Sequence, residues 1–120
     1  MNDLLSSLLY PLGVTPQYTG YYYISFAVEL AAADPSHLML VTKDLYPTVA
    51  ARFASTPSRV ERNLRHMTDL AWRTNPKLLE DMAGHHLSSR PHASKFIAIL
   101  VNQYRALLSR EEPDGQQRLF

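Results

Sequence analysis

The stretch Ser58 to Trp72, S-R-V-E-R-N-L-R-H-M-T-D-L-A-W, holds the side chains of this 120-residue chain best suited to chemistry. On a helix, Val60, Leu64, Met67 and Ala71 recur at i, i+4, i+7 and i+11 and form one apolar stripe. Ser58, Glu61, Arg62, Arg65 and Asp69 fall on the opposite side. Arginine can chelate O6 and N7 of guanine, and glutamate can accept from the N4 amine of cytosine. Glu61 and Arg62, side by side, therefore suit a C·G step in a major groove. Arg62 is the stronger base-reading candidate, since Glu61 could serve only as the acid of a capping box opened by Ser58. Ser58, Arg59 and Arg65 suit phosphate oxygens, which set register without reading sequence. His66 lies at the edge of the face, as well placed for the DNA backbone as for a structural role.

Weaker phosphate candidates lie elsewhere. Thr42, Lys43 and Thr48 fall near the start of a third helix, where free backbone N–H groups attract phosphate, and Lys95 opens a later helix in the same way. Each is also compatible with ordinary surface. His85, His86 and His92 suggest a metal, but adjacent histidines point apart and no carboxylate stands at helical ligand spacing from them. Tyr21, Tyr22 and Tyr23 open an amphipathic segment, which assigns them to packing before base stacking. No nucleophile–base pair, glycine-rich phosphate loop or H-E-x-x-H motif is present, so neither catalysis nor a cofactor is expected.

The elements that must position these residues all read as helical, because no segment sustains period-two alternation. A first helix covers about 3–12, with Gly13 as a left-handed stop. Pro16 and Gly20 separate it from a second at about 21–33, whose core stripe is Tyr23, Phe26, Ala27 and Leu30 and which Asp34-Pro35 ends. Residues 37–43 form a short helix or the first turns of the next. A third helix, about 45–54, has Asp44 as a cap and Pro47 in its first turn. The fourth spans about 57–73 and begins either at a Thr56 cap with Pro57 in the first position or at the Ser58–Glu61 capping box. Val49, Ala50 and Phe53, with Val60 and Leu64, match the buried positions of a helix-turn-helix, although Ala54 stands where many such turns carry glycine. A fifth helix, about 76–83, stops at Gly84, and a sixth covers about 95–109. The expected fold is all-α, a compact bundle of about six helices in one domain over 1–110, followed by a disordered tail over 111–120.

Composition agrees with a single soluble domain: 46% hydrophobic residues, no cysteine and therefore no disulfide framework. No apolar run approaches the roughly 20 residues that span a bilayer, and the N-terminus lacks a secretory signal pattern, so a cytoplasmic protein without a membrane partner is expected. The formal net charge is only +1. Its distribution says more. Between Arg52 and Arg73, five arginines against Glu61 and Asp69 leave +3, while the remainder carries −2. One positive face on a slightly acidic body points toward a polyanion.

The segments L-G-V (12–14), G-Y-Y-Y (20–23), T-K-D-L-Y-P (42–47), S-R-V-E-R (58–62), R-H (65–66), A-W (71–72) and K-F-I-A (95–98) together resemble the C-terminal effector domain of the sporulation initiation response regulators, in order and near-matching spacing from about residue 4 to 107. The resemblance implies a helix-turn-helix transcription regulator that binds double-stranded DNA, with Arg62 matching an arginine that contacts guanine and Glu61 a glutamate that contacts the complementary cytosine. It further implies self-association on tandem sites and contact with an RNA polymerase sigma factor. Residues 73–82, R-T-N-P-K-L-L-E-D-M, diverge from the segment that makes the sigma contact in the family. Full-length members carry an N-terminal receiver; this sequence has no α/β receiver pattern and reads as an excised domain or a stand-alone relative. The runner-up reading is a protein-interaction module that docks on a partner regulator.

Overall fold

Leu5, Leu8, Leu9 and Leu12 place the first turns of the chain against the core, and all four are buried. The structure, a computed structural model, describes residues 3–111. Its six α-helices are α1 (Asp3–Leu9), α2 (Thr19–Ala33), α3 (Tyr46–Arg52), α4 (Pro57–Thr74), α5 (Pro76–Ala83) and α6 (Ala93–Glu111). No strand occurs among the described residues. The expectation of a disordered tail falls, but for Glu111, on residues outside those described.

α1 tightens into a single 3-10 turn, Tyr10–Leu12, and ends at Gly13 with φ 80°, as the sequence suggested. A Cβ at Gly13 would also meet Thr74 Oγ1 at 2.8 Å, so α4 crosses close to this turn.

α2 packs chiefly between α4 and α6, which widens its buried face. Ile24, Val28 and Ala31 are fully buried beside Ala27, whereas Phe26 and Leu30, expected in the core, are only half-buried. Gly20 is not a separator. It lies in the first turn of α2, where a Cβ would run into the Met67 side chain and stand 3.0 Å from the Asn63 carbonyl oxygen. The absence of a side chain lets α2 and α4 meet backbone to side chain.

Between α2 and α3 the chain stays helical in irregular forms. Asp34 accepts from Ser36 N at 3.1 Å and caps a 3-10 turn, Pro35–Leu38. A π turn, Val41–Leu45, then runs directly into α3. Asp44, expected to cap α3, sits inside that π turn and instead pairs with His37 Nδ1 at 2.7 Å. Tyr46 N already donates to the Val41 carbonyl, so the start of α3 offers no free N–H groups of the kind expected beside Thr48.

At α4 the two possible caps resolve. Thr56 Oγ1 accepts from Arg59 N at 3.2 Å and Pro57 opens the helix. The Ser58–Glu61 box does not form; Glu61 turns to Arg65. Val60, Leu64, Met67 and Ala71 are fully buried, the stripe read from the sequence. α5 is capped by Asn75, whose Oδ1 accepts from Leu78 N at 3.1 Å, and ends at left-handed Gly84. α6 starts at Ala93, slightly before the expected position, and buries Phe96, Ile97, Leu100 and Val101.

Candidate nucleic-acid interface

α3, the turn Phe53–Thr56 and α4 make a helix-turn-helix unit. Val49, Ala50, Val60 and Leu64 are buried between the helices, and Phe53 packs partly exposed against Tyr23 and Phe26. The turn is a Schellman motif: Ser55 N donates to the Ala50 carbonyl at 2.8 Å and Ala54 N to the Ala51 carbonyl at 3.4 Å. Ala54 takes φ 53°, the left-handed conformation that glycine adopts without strain. Tyr23 donates its hydroxyl to Ser55 Oγ at 3.1 Å, tying the turn to α2.

With its apolar face fully sequestered, α4 turns the remaining side outward. Ser58, Arg59, Glu61, Arg62, Arg65 and His66 are all exposed. Arg52 is spent on packing, its guanidinium 5.0 Å over the Phe53 ring and 5.7 Å over that of Phe26. Arg73 donates to Asp69 at 2.9 Å. Arg65 lies 3.5 Å from Glu61, an open pair with both side chains about half exposed. Among the described residues the guanidinium groups of Arg59 and Arg62 have no partner. Arg62 is thus uncommitted on the solvent side, with the Glu61 carboxylate one residue away.

The outlying candidates separate. His66 stacks edge-on against Tyr18, ring centres 5.9 Å apart, which gives it a packing role. Thr42 and Lys43 are exposed on the π turn. Thr48 is half-buried and donates its hydroxyl to the Asp44 carbonyl at 2.8 Å, a back-bond that leaves it poorly placed for phosphate. Lys95 is exposed in the first turn of α6 with Nζ 3.3 Å from His85 Nε2. His86 pairs with Glu80 at 2.7 Å, across the bend after α5. Among the described residues no three His, Asp or Glu side chains converge in a way that would hold a metal ion.

Two residues to which the sequence reading gave no site role join the face. Arg90, on the segment before α6, reaches α4 and stands 4.0 Å from Asp69. It lines a shallow depression together with Arg62, Arg65 and His66. Tyr46, at the start of α3, is 5% exposed and sits close enough to α4 that Glu61 and Arg65 both act on its hydroxyl. Burial raises its pKa above the ordinary tyrosine value, Glu61 raises it further, and Arg65 opposes. Neither residue belongs to a periodic pattern; only tertiary packing brings them here.

A family model described as the sporulation initiation factor Spo0A C terminal matches residues 5–104. The chain belongs to that family. The Spo0A C-terminal family is a DNA-binding domain of a sporulation regulator and not a catalytic one. The matched span runs from α1 into α6 and contains the whole helix-turn-helix unit. No described helix is long and apolar enough to cross a membrane.

Proposed function

We propose that the chain is a sequence-specific double-stranded DNA-binding transcription regulator, with α4 inserted in the major groove and α3 braced across the backbone. The observation that carries this reading is the uncommitted Arg62 beside Glu61, on the outward face of a helix whose other face is fully buried. Arg62 reads a guanine, and Glu61 accepts from the paired cytosine. Ser58, Arg59 and Arg65 hold phosphates on either side. Thr42 and Lys43 reach the backbone from the π turn, while Thr48, His66 and Lys95 are secondary contacts because each already has an intramolecular partner.

The deciding experiment is a mobility-shift titration on a family-type box beside a scrambled duplex. The intact chain should prefer the box, and Arg62→Ala should cost about 1–3 kcal/mol on the box while relaxing preference at one guanine. Equal affinity of the intact chain for both duplexes would overturn the reading.

A second role has its own observation. Met39 is 80% exposed and Leu40 57% exposed, adjacent apolar side chains on the segment leading into the π turn. Such a pair favours protein contact, either self-association on tandem sites or docking on a partner regulator. Replacing both by serine should abolish cooperative binding to a two-box duplex while leaving single-box affinity intact. If the intact chain binds no duplex at low salt, the interaction-module reading takes over.

A further inference from the structure

A cleft of about 470 Å³ opens beside the outward face of α4. Its walls come from three elements far apart in sequence: Thr42 and Tyr46 from the π turn and α3, Glu61 and Arg65 from α4, and Arg90 and Ser94 around the start of α6. Phe96 N is the first amide of α6 to find a backbone partner, His92 O at 3.0 Å. The N–H groups of the residues before it therefore stand at the positive end of a 19-residue helix.

Tyr46 gives the second, independent sign of a ligand. Its side chain is nine-tenths buried in the wall of the cleft, yet its hydroxyl has no hydrogen-bond partner among the described residues. That hydroxyl opens onto the cleft, so a ligand seated there can accept its hydrogen bond. Two guanidinium groups, two hydroxyls and a helix N-terminus around one space define an anion site, and phosphate is the anion whose several oxygens can use them all.

We propose that this cleft seats a backbone phosphate of the bound duplex, with Arg90 and Arg65 supplying charge and Tyr46 and Thr42 donating hydroxyl hydrogen bonds. Arg90 is the key new contact, and Asp69 positions it against α4. Glu61 also lines the cleft and would oppose an anion while it faces Arg65. Base reading relieves this: when Glu61 turns to accept from a cytosine amine, Arg65 is released to the phosphate. Arg65 thus joins the seat only when α4 is in register with its box, whereas Arg90, Tyr46 and Thr42 hold a phosphate of any duplex. This inference rests on the DNA-binding reading above.

The test measures binding to box and scrambled duplexes over a range of salt concentrations for the intact chain, Arg90→Ala, Arg90→Lys and Tyr46→Phe. Lys77→Ala, which removes an equal charge from α5, is the control. Arg90→Ala should weaken both duplexes by the same factor, about tenfold, and make the salt slope shallower by about 0.9. Arg90→Lys should restore the slope. Tyr46→Phe should weaken both duplexes about threefold with the slope unchanged, because a neutral hydrogen bond releases no counterion. Lys77→Ala should match the intact chain. The seat is overturned if Arg90→Ala keeps the wild-type slope, or if its loss is confined to one duplex. Should Arg62→Ala still erase box preference in that case, the DNA-binding reading stands and only the seat falls; if the intact chain distinguishes no duplex, both fall.

Discussion

Glu61 and Arg62 are neighbours in sequence but differ in what holds them. Arg62 has no partner among the described residues, so its affinity for a guanine edge is not offset by a broken contact there. Glu61 must first leave Arg65, a separation that costs little because the pair is exposed and its atoms are 3.5 Å apart. Replacing Glu61 by glutamine removes the carboxylate but keeps the shape. Affinity for a scrambled duplex should rise about threefold, since Arg65 gains a free charge, while preference for the box falls. The ratio of the two affinities is the readout, and an unchanged ratio would remove Glu61 from base reading. Arg59→Ala should behave differently, weakening every sequence alike and making the salt slope shallower by about one unit. The sequence made this face legible because Val60, Leu64, Met67 and Ala71 fix the rotation of α4, and every exposed residue follows from that rotation. Arg90 was not legible, and Tyr46 stood out only as part of T-K-D-L-Y-P, with nothing to place it beside α4. Twenty residues lie between Asp69 and Arg90, and their contact exists only once the chain has folded across α5.

At the scale of elements, the junction between α3 and α4 controls how the reading face is presented. Ala54 holds a left-handed conformation that costs an L-residue roughly 1–2 kcal/mol, and glycine would escape most of that cost. Ala54→Gly should stabilise the fold by about 0.5–1 kcal/mol after the extra entropy of the unfolded glycine is subtracted. Chemical denaturation reads it directly, and a loss of stability would show that the turn is not strained at this residue. Gly20→Ala should act in the opposite direction. Its Cβ collides with Met67 on the buried face of α4, so either Met67 moves or the helix does. A loss of about 1–3 kcal/mol is expected, accompanied by weaker box preference because α4 is displaced relative to α3. Helix ends were well marked in the sequence wherever a proline, a capping side chain or a glycine set them: Thr56-Pro57, Asn75-Pro76, Gly13 and Gly84. The π turn carried no such mark. Leu40 O accepts from both Asp44 N and Leu45 N, and this wider turn absorbs the irregular spacing of V-T-K-D-L without any distinctive residue. Gly20 was misread for a related reason, since a glycine that permits close packing and one that breaks a helix look alike in sequence.

For the molecule as a whole, the positive face and the buried tyrosines predict how stability and binding respond to alkali. Tyr21 and Tyr46 both have pKa values raised above the usual value, by burial first in each case. For Tyr21 the neighbouring Tyr10 adds to the rise, and for Tyr46 Glu61 does, against Arg65. A raised native pKa means that the folded chain keeps these protons after the unfolded chain has begun to release them. Their contribution is complete below the unfolded value of about 10 and is lost as pH rises through the folded values. Thermal unfolding followed from pH 8 to 11 should therefore show a midpoint that declines steeply above about pH 10. Tyr46→Phe, which keeps the ring but cannot ionise, should flatten that decline. An equal decline in the variant would assign the alkaline loss to other groups. The same proton matters for binding, because a tyrosinate in the cleft between α3, α4 and α6 would face an incoming phosphate with like charge. A hydroxyl held neutral by burial and by Glu61 stays a donor beyond the pH at which an ordinary tyrosine begins to ionise.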